Sequence, residues 1–296
     1  MNFNLLNIHP EPQNFDRAIA MAKRVDIMDK IISIYKTFKG IHGVFLSGTK
    51  AGVPRDVYSD LDFLVVVDDT FNPAAQIQKL HDLLNVSKDK IHTYCDDSYE
   101  YGVSTDFYCD NIEVCVMHYK KNDLESRIAS YYNGNYFKTG YFYPGALIAA
   151  LSENHILYEQ SGALKQLQQI ANKYPDNAVK IICNRELGWS NYFIKKFEQF
   201  LYRKDSNNLQ VVFANVIDCG LNMLYAIHKK PYAGPTKALS GHFHIFSHDC
   251  PNLEKIVSII LTGSDSSAKI YTLQERSDIA ISFLKTCQKL LKSQGE

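Results

Sequence analysis

The chain has 296 residues and a formal net charge of zero, with 32 Lys plus Arg set against 32 Asp plus Glu. That length suggests about two domains with ample core, and the balanced charge gives no global pull toward nucleic acid, which weighs against a polymerase-like protein. Hydrophobic residues make up 46%, ordinary for a soluble globular protein; no continuous apolar run approaches a membrane span, and Met1 to Pro12 lack the basic start and apolar core of a signal peptide. The seven cysteines are scattered without a Cys-x-x-Cys pair, which fits reduced thiols and a cytoplasmic protein.

From Phe15 to Phe38, the residues Val25, Met28, Ile31, Ile32 and Tyr35 recur at helical spacing with charges between them, and Gly40 closes this amphipathic helix. Val44-Phe45-Leu46 and Phe63-Leu64-Val65-Val66-Val67 are short apolar runs bounded by breakers, so both read as buried strands. Asn72-Pro73 is a cap followed by a proline in the first turn, opening a helix that runs to Leu84. Ile91 to Tyr94 reads as a strand, and Tyr101–Tyr108 and Ile112–Tyr119 as two more joined at Cys109-Asp110-Asn111. Asn122-Asp123-Leu124-Glu125 resembles a capping box, Tyr143–Leu151 is helical with Pro144 in its first turn, and His155–Tyr158 is a last short strand.

Beyond Ser161-Gly162 the pattern changes. Ala163–Ala171, Asp176–Arg203, Ser206–His228, Asn252–Leu261 and Ser267–Lys292 all carry helical periodicity, and several are far longer than strands. The expected architecture is α+β. An N-terminal domain over residues 1–160 has a mixed sheet flanked by helices, and residues 161–296 form a C-terminal helix bundle in which neighbouring helices pack antiparallel.

The stretch between the first two strands carries the chemistry. Ser47, Gly48 and Gly52 are small, so main-chain amides there approach an anion closely. Asp60 and Asp62 then open the second strand, two apart and on one face. Two adjacent carboxylates at the mouth of a buried strand repel unless a cation lies between them, and hard oxygen ligands select magnesium or a similar ion. A phosphate cradle beside a magnesium pair suits phosphoryl or nucleotidyl transfer.

The run Leu46-Ser47-Gly48-Thr49 through Ser59-Asp60-Leu61-Asp62 resembles the nucleotidyltransferase superfamily of DNA polymerase β, and Val53 to Asp62 is most similar to the streptomycin-modifying aminoglycoside adenylyltransferases. The superfamily motif opens Gly-Ser where this chain has Ser47-Gly48-Thr49, so either Ser47 or Thr49 takes the serine's place. The resemblance implies a third carboxylate from a neighbouring strand, as metal ligand or general base. Glu113, the lone acid in the apolar strand Ile112–Met117, is the residue matched to it, with Asp110 as its rival. Cys183-Asn184-Arg185-Glu186-Leu187-Gly188-Trp189 is similar to an Asn-Glu-aromatic segment of the same enzymes, which implies acceptor-binding roles for Glu186 and Trp189. The loop Pro231-Tyr232-Ala233-Gly234-Pro235-Thr236-Lys237 resembles one whose lysine reaches the nucleotide phosphates, so Lys237 joins Ser47, Gly48 and Thr49 as nucleotide-binding residues.

These matches imply magnesium-dependent transfer of AMP from ATP to a hydroxyl of a small-molecule acceptor, an aminoglycoside antibiotic, with no membrane or nucleic-acid partner. A lincosamide acceptor is the nearest alternative, with Tyr192 beside Trp189 as apolar walls. A catalytically silent nucleotide-binding or toxin–antitoxin-type protein of the same fold is the other class. Three further stretches are weaker candidates. Asp96, Asp97 and Glu100 attract a cationic antibiotic or form a plain acidic loop. His242, His244, His248 and Cys250 have zinc-ligand composition without a closed spacing. Lys195-Lys196 and Arg203-Lys204 read as a solvated helix face rather than an RNA surface.

Overall fold

The structure, a computed structural model, describes residues 14–47, 60–94, 103–135, 143–153, 155–234 and 243–293. Its elements gather into two compact units. The first contains α1 (Asn14–Tyr35), β1 (Ile41–Ser47), β2 (Leu61–Val67), α2 (Gln76–Leu84), β3 (His92–Tyr94), β4 (Val103–Cys109), β5 (Ile112–Lys120) and β6 (His155–Glu159). The second contains α3 (Lys121–Tyr132), α4 (Pro144–Glu153), α5 (Ala163–Asn172), α6 (Asp176–Tyr202), α7 (Ser206–Ile227), α8 (Leu253–Thr262) and α9 (Leu273–Ser293). The chain leaves the first unit after Lys121, returns for His155–Leu164 and leaves again, so α3 and α4 gather with the C-terminal helices.

In the first unit six strands form one sheet in the order β3-β4-β5-β2-β1-β6. β2 and β5 are parallel and the other pairs antiparallel, so the sheet is mixed, as the sequence suggests. Alternation along β2 sorts its side chains. Leu61, Phe63, Val65 and Val67 join a core with Ile27, Ile31, Ile34 and Tyr35 of α1 and Leu80 and Leu84 of α2. The other face carries Asp62, then the buried Leu64 and Val66. Of the expected stripe of α1, Ile31 and Tyr35 are fully buried and Met28 packs against the core; Ile27 and Ile34 join them, whereas Val25 is 48% exposed. After α1 the chain turns at Gly40, whose φ is +78°; a Cβ there would lie 2.5 Å from Asp68 Oδ1.

The β4–β5 hairpin closes on Asp110 and Asn111, with φ of 51° and 63°. Two left-handed residues make a type I′ turn, whose twist matches the strands it joins. The turn therefore has two residues, not the three expected, and Cys109 belongs to β4, opposite Ile112. α3 follows β5 directly at Lys121, one residue ahead of the expected capping box.

In the second unit α6 and α7 are joined by a short loop at Arg203–Asp205 and pack along each other, with α9 against both. Asp205 caps α7, its carboxylate accepting from Asn208 N at 3.1 Å. Among the described residues α7 is one helix long and apolar enough to cross a membrane, a length that the continuous-run reading missed. It is the core helix of this unit, with 72% of its apolar window buried. α9 begins at Leu273 rather than near Ser267. Asp265 accepts from Ser267 N at 3.0 Å and from Tyr271 Oη at 2.9 Å, which holds residues 265–271 in a turn. Thr272 and Glu275 then form a reciprocal capping box: Glu275 Oε2 accepts from Thr272 N at 2.7 Å, and Thr272 Oγ1 from Glu275 N at 3.2 Å. Arg276, 6% exposed, donates to Ile260 O at 2.6 Å and stacks over Phe213 at 4.3 Å, tying α9 to the end of α8 and to α7.

Candidate active site

The strand register builds the site. β1 and β2 are antiparallel with Ser47 opposite Asp62. Across the other edge of β2, Asp62 pairs with Cys115 of β5. Cys115 pairs in turn with Asp106 of β4, and Asp106 with His92 of β3. Directly paired residues project to the same face, so Ser47, Asp62, Cys115, Asp106 and His92 form one row across five strands, on the face away from the α1–α2 core.

A second, shorter row lies toward the start of β2. Asp60 precedes the Leu61–Val114 pair by one residue, which sets it level with Glu113. Glu113 is opposite Tyr108, whose hydroxyl donates to Glu113 Oε2 at 3.0 Å. That bond raises the tyrosine's pKa and engages the Glu113 carboxylate, which is exposed at the rim of the sheet.

The inner row is drier. Asp62 and Asp106 are half-buried, and Asp106 Oδ1 is fully buried with no hydrogen-bond partner among the described residues. A buried, unbonded carboxylate oxygen costs stability on the order of 1–3 kcal/mol, so it marks a place where another group is expected to bind. Cys115 lies between the two aspartates. Burial pushes its thiol pKa far up, and a hydrogen bond to Asp106 and the negative charges of Asp106, Asp62 and Asp60 push it further. The thiol therefore stays protonated beside the carboxylates.

Among the described residues no three His, Cys, Asp or Glu side chains come together as a metal-binding group, so the expected set of Asp60, Asp62 and Glu113 does not form a cage. The donors present do fit magnesium, which usually takes one or two carboxylates and completes its shell with water and substrate phosphates. Asp60, exposed, and Asp62, half-buried, are such a pair.

The remaining expected site residues are not all brought together. Gly48, Thr49 and Lys237 lie outside the described residues, as do Asp96, Asp97, Glu100 and His242. Glu186 is buried on α6 at 7% exposure and accepts from Asn222 Nδ2 of α7 at 3.0 Å. Trp189 is 50% exposed and stacks with Phe193 on the outer side of the same helix. Glu186 thus serves the α6–α7 packing while Trp189 faces solvent. The residues that sequence reasoning missed are Asp106 and Cys115. What places them is the length of the turn: two residues at Asp110-Asn111 set Asp106 opposite Cys115, whereas a three-residue turn sets it opposite Val114 and sends it into the core.

No protein-family model matches the chain, and no curated protein sequence matches it. Among solved structures, a nucleotidyltransferase-like protein from Exiguobacterium sibiricum is similar at a TM-score of 0.42 and 14% identity, over 93% of this chain and 75% of that one. The spectinomycin adenyltransferase AAD(9) from Enterococcus faecialis, crystallised with ATP and spectinomycin, is similar at 0.35 and 12%, over 88% of this chain and 98% of that one. At TM-scores this low neither likeness decides an activity.

Proposed function

We propose that this protein is a magnesium-dependent nucleotidyltransferase that moves AMP from ATP to a hydroxyl of a small molecule, with an aminoglycoside as the acceptor class. The observation that carries the reading is the inner row: Asp62 at the mouth of β2, next to the end of β1, with Asp106 two strands away and its Oδ1 unbonded. Together with Asp60, it joins a carboxylate pair to a third carboxylate two strands along the same face of the sheet.

Asp60 and Asp62 hold magnesium. When bound, the ion supplies positive charge against the donor phosphates and the departing pyrophosphate. Asp106 takes the role first matched to Glu113. Its free Oδ1 accepts the proton of the acceptor hydroxyl as that oxygen attacks the α-phosphorus. Cys115 donates a hydrogen bond from its protonated thiol to Asp106 and so orients the carboxylate while adding no further negative charge to the row. Ser47, level with Asp62, places the end of β1 beside the donor phosphates.

The test is pyrophosphate release with ATP and magnesium across aminoglycosides and lincosamides, with Asp62→Asn as the control. Release with an aminoglycoside, abolished in the variant, is expected. Release with a lincosamide alone would move the acceptor class. The Ser47-Gly48-Thr49 turn, which departs from the Gly-Ser opening of the motif it resembles, keeps the catalytically silent reading as the second one; ATP binding without pyrophosphate release on any acceptor would establish it.

A further inference from the structure

The outer face of α6 carries a cluster of rings and cations to which the reaction proposed above assigns no role. At 3.6 residues per turn, Trp189, Tyr192, Phe193, Lys196, Phe200 and Arg203 fall within roughly 100° of the helix circumference. Trp189 and Tyr192 are 50% and 48% exposed, while Phe193 and Phe200 are half-buried beneath them. The Trp189 ring meets Tyr192 edge-on at 6.0 Å and lies nearly parallel to Phe193 at 6.1 Å. Beside Trp189, a Cβ added at Gly188 would have no heavy atom within 4 Å. The Lys196 ammonium sits 5.3 Å from the centre of the Tyr192 ring and 5.9 Å from that of Phe200.

The charge along this stretch is mainly positive. From Leu187 to Asp205 the sequence has Lys195, Lys196, Arg203 and Lys204 against two acids, Glu198 and Asp205; Asp205 caps α7 and feels the charge of Arg203. Glu198 lies across the helix from the aromatic stripe. None of the four cations forms an ion pair among the described residues. Half-exposed aromatic rings clustered with unpaired cations mark a binding surface rather than a solvated helix face.

We propose that this face of α6 binds single-stranded nucleic acid, the bases stacking on Trp189 and Tyr192 and the phosphates meeting Lys196 and Arg203 on the stripe and Lys195 beside it. The occupant follows from the alternation. Rings and cations succeed one another along roughly 21 Å of helix, as bases and phosphates do along a strand. Base stacking on aromatic side chains tolerates any sequence, and the cations follow the backbone. An acidic polypeptide would use the cations and leave the rings without a role. The chain's zero net charge does not oppose this, because exposed charges act over a Debye length of about 8–10 Å. The proposal stands on α6 alone and does not depend on the transfer reaction.

Trp189 is the only tryptophan in the chain, so its fluorescence reports this face directly. The full chain is titrated with a twelve-residue oligouridylate and, separately, an oligothymidylate, in EDTA and without nucleotide, across a salt series. Both are expected to quench the tryptophan, with a dissociation constant of roughly 10 µM at low salt. The slope of log affinity against log salt should be about −2, since each neutralised phosphate of a single strand contributes about −0.7. Replacing Lys195, Lys196 and Arg203 together by glutamine should weaken binding at least tenfold and flatten the slope, with thermal unfolding unchanged. The proposal is overturned by an absence of quenching, by equal quenching with AMP alone, or by a triple variant that binds like the parent. Equal binding of polyglutamate would assign the face to an acidic protein, and quenching that grows with protein concentration alone would assign it to self-association; either result also overturns it.

Discussion

Asp62 and Asp106 are both direct partners of Cys115, one through the parallel β2–β5 pair and the other through the antiparallel β4–β5 pair. Two aspartates thus face the same side of the sheet two strand spacings apart, roughly 9–10 Å between backbones. A protonated thiol fills the position between them. The proposed reaction would bring a donor phosphate and an acceptor hydroxyl together across this row.

The carboxylate pair gives the first prediction. Asp60→Asn or Asp62→Asn should abolish transfer and leave the fold intact. Because each change removes one of two like charges, thermal stability without magnesium should hold or rise. Turnover within a few-fold of the parent in either variant would sink the metal assignment.

The third carboxylate is decided by ranking two variants. Asp106→Asn should lower kcat on the order of 10²-fold or more, the usual size of a general-base contribution, with little change in KM for ATP. Glu113→Gln should cost only a few-fold, since its partner is the Tyr108 hydroxyl at the rim. The opposite order would return the role to Glu113.

Cys115 should be a slow nucleophile. Its pKa is raised by burial, by the hydrogen bond to Asp106 and by the nearby carboxylates, so less of it is thiolate than in an ordinary cysteine, and the thiolate is the reactive form. Alkylation by iodoacetamide at pH 7.5, followed at the Cys115 peptide by mass spectrometry, should be slower than for a free thiol. Asp106→Asn removes a hydrogen bond and a negative charge together and should speed it several-fold. An unchanged rate in that variant would show that Asp106 does not govern the thiol.

His118 should make the fold acid-sensitive. It is 4% exposed, with Nε2 2.7 Å from Tyr35 Oη and Nδ1 3.0 Å from Val103 O. Burial lowers its pKa from 6.5 to about 4. In the unfolded chain the imidazole takes up a proton below about 6.5, while in the folded chain it does so only near 4. The unfolded state therefore binds more protons between those values, and stability is full above 6.5 and lost as pH falls toward 4. The shift corresponds to on the order of 3 kcal/mol. Urea unfolding at pH 7 and pH 4.5 should show the loss in the parent and a smaller one in His118→Gln. Equal losses in both would mean that other groups set the acid limit.

The sequence by itself determined most of the elements and the shared face of Asp60 and Asp62. Breakers around Val44–Leu46 and Phe63–Val67 fixed β1 and β2, because short apolar runs closed by glycine and polar turns have few other ways to be buried. The spacing of Asp60 and Asp62 placed both on one face of a strand end, since that relationship is local and follows from a period of two. Long apolar periodicity from Asp176 onward gave the C-terminal helices for the same reason. What spans several elements was decided only by tertiary structure. Whether Asp106 faces the site or the core depends on one residue in the turn that follows, and the left-handed conformations of Asp110 and Asn111 settled it. The parallel pairing of β2 with β5, which brings Cys115 beside Asp62, joins strands distant in the chain and leaves no local pattern. Trp189 and Glu186 lie three residues apart, yet one is exposed and the other buried. Which side of α6 becomes inner surface depends on where α7 and α9 pack, and no spacing within α6 carries that information.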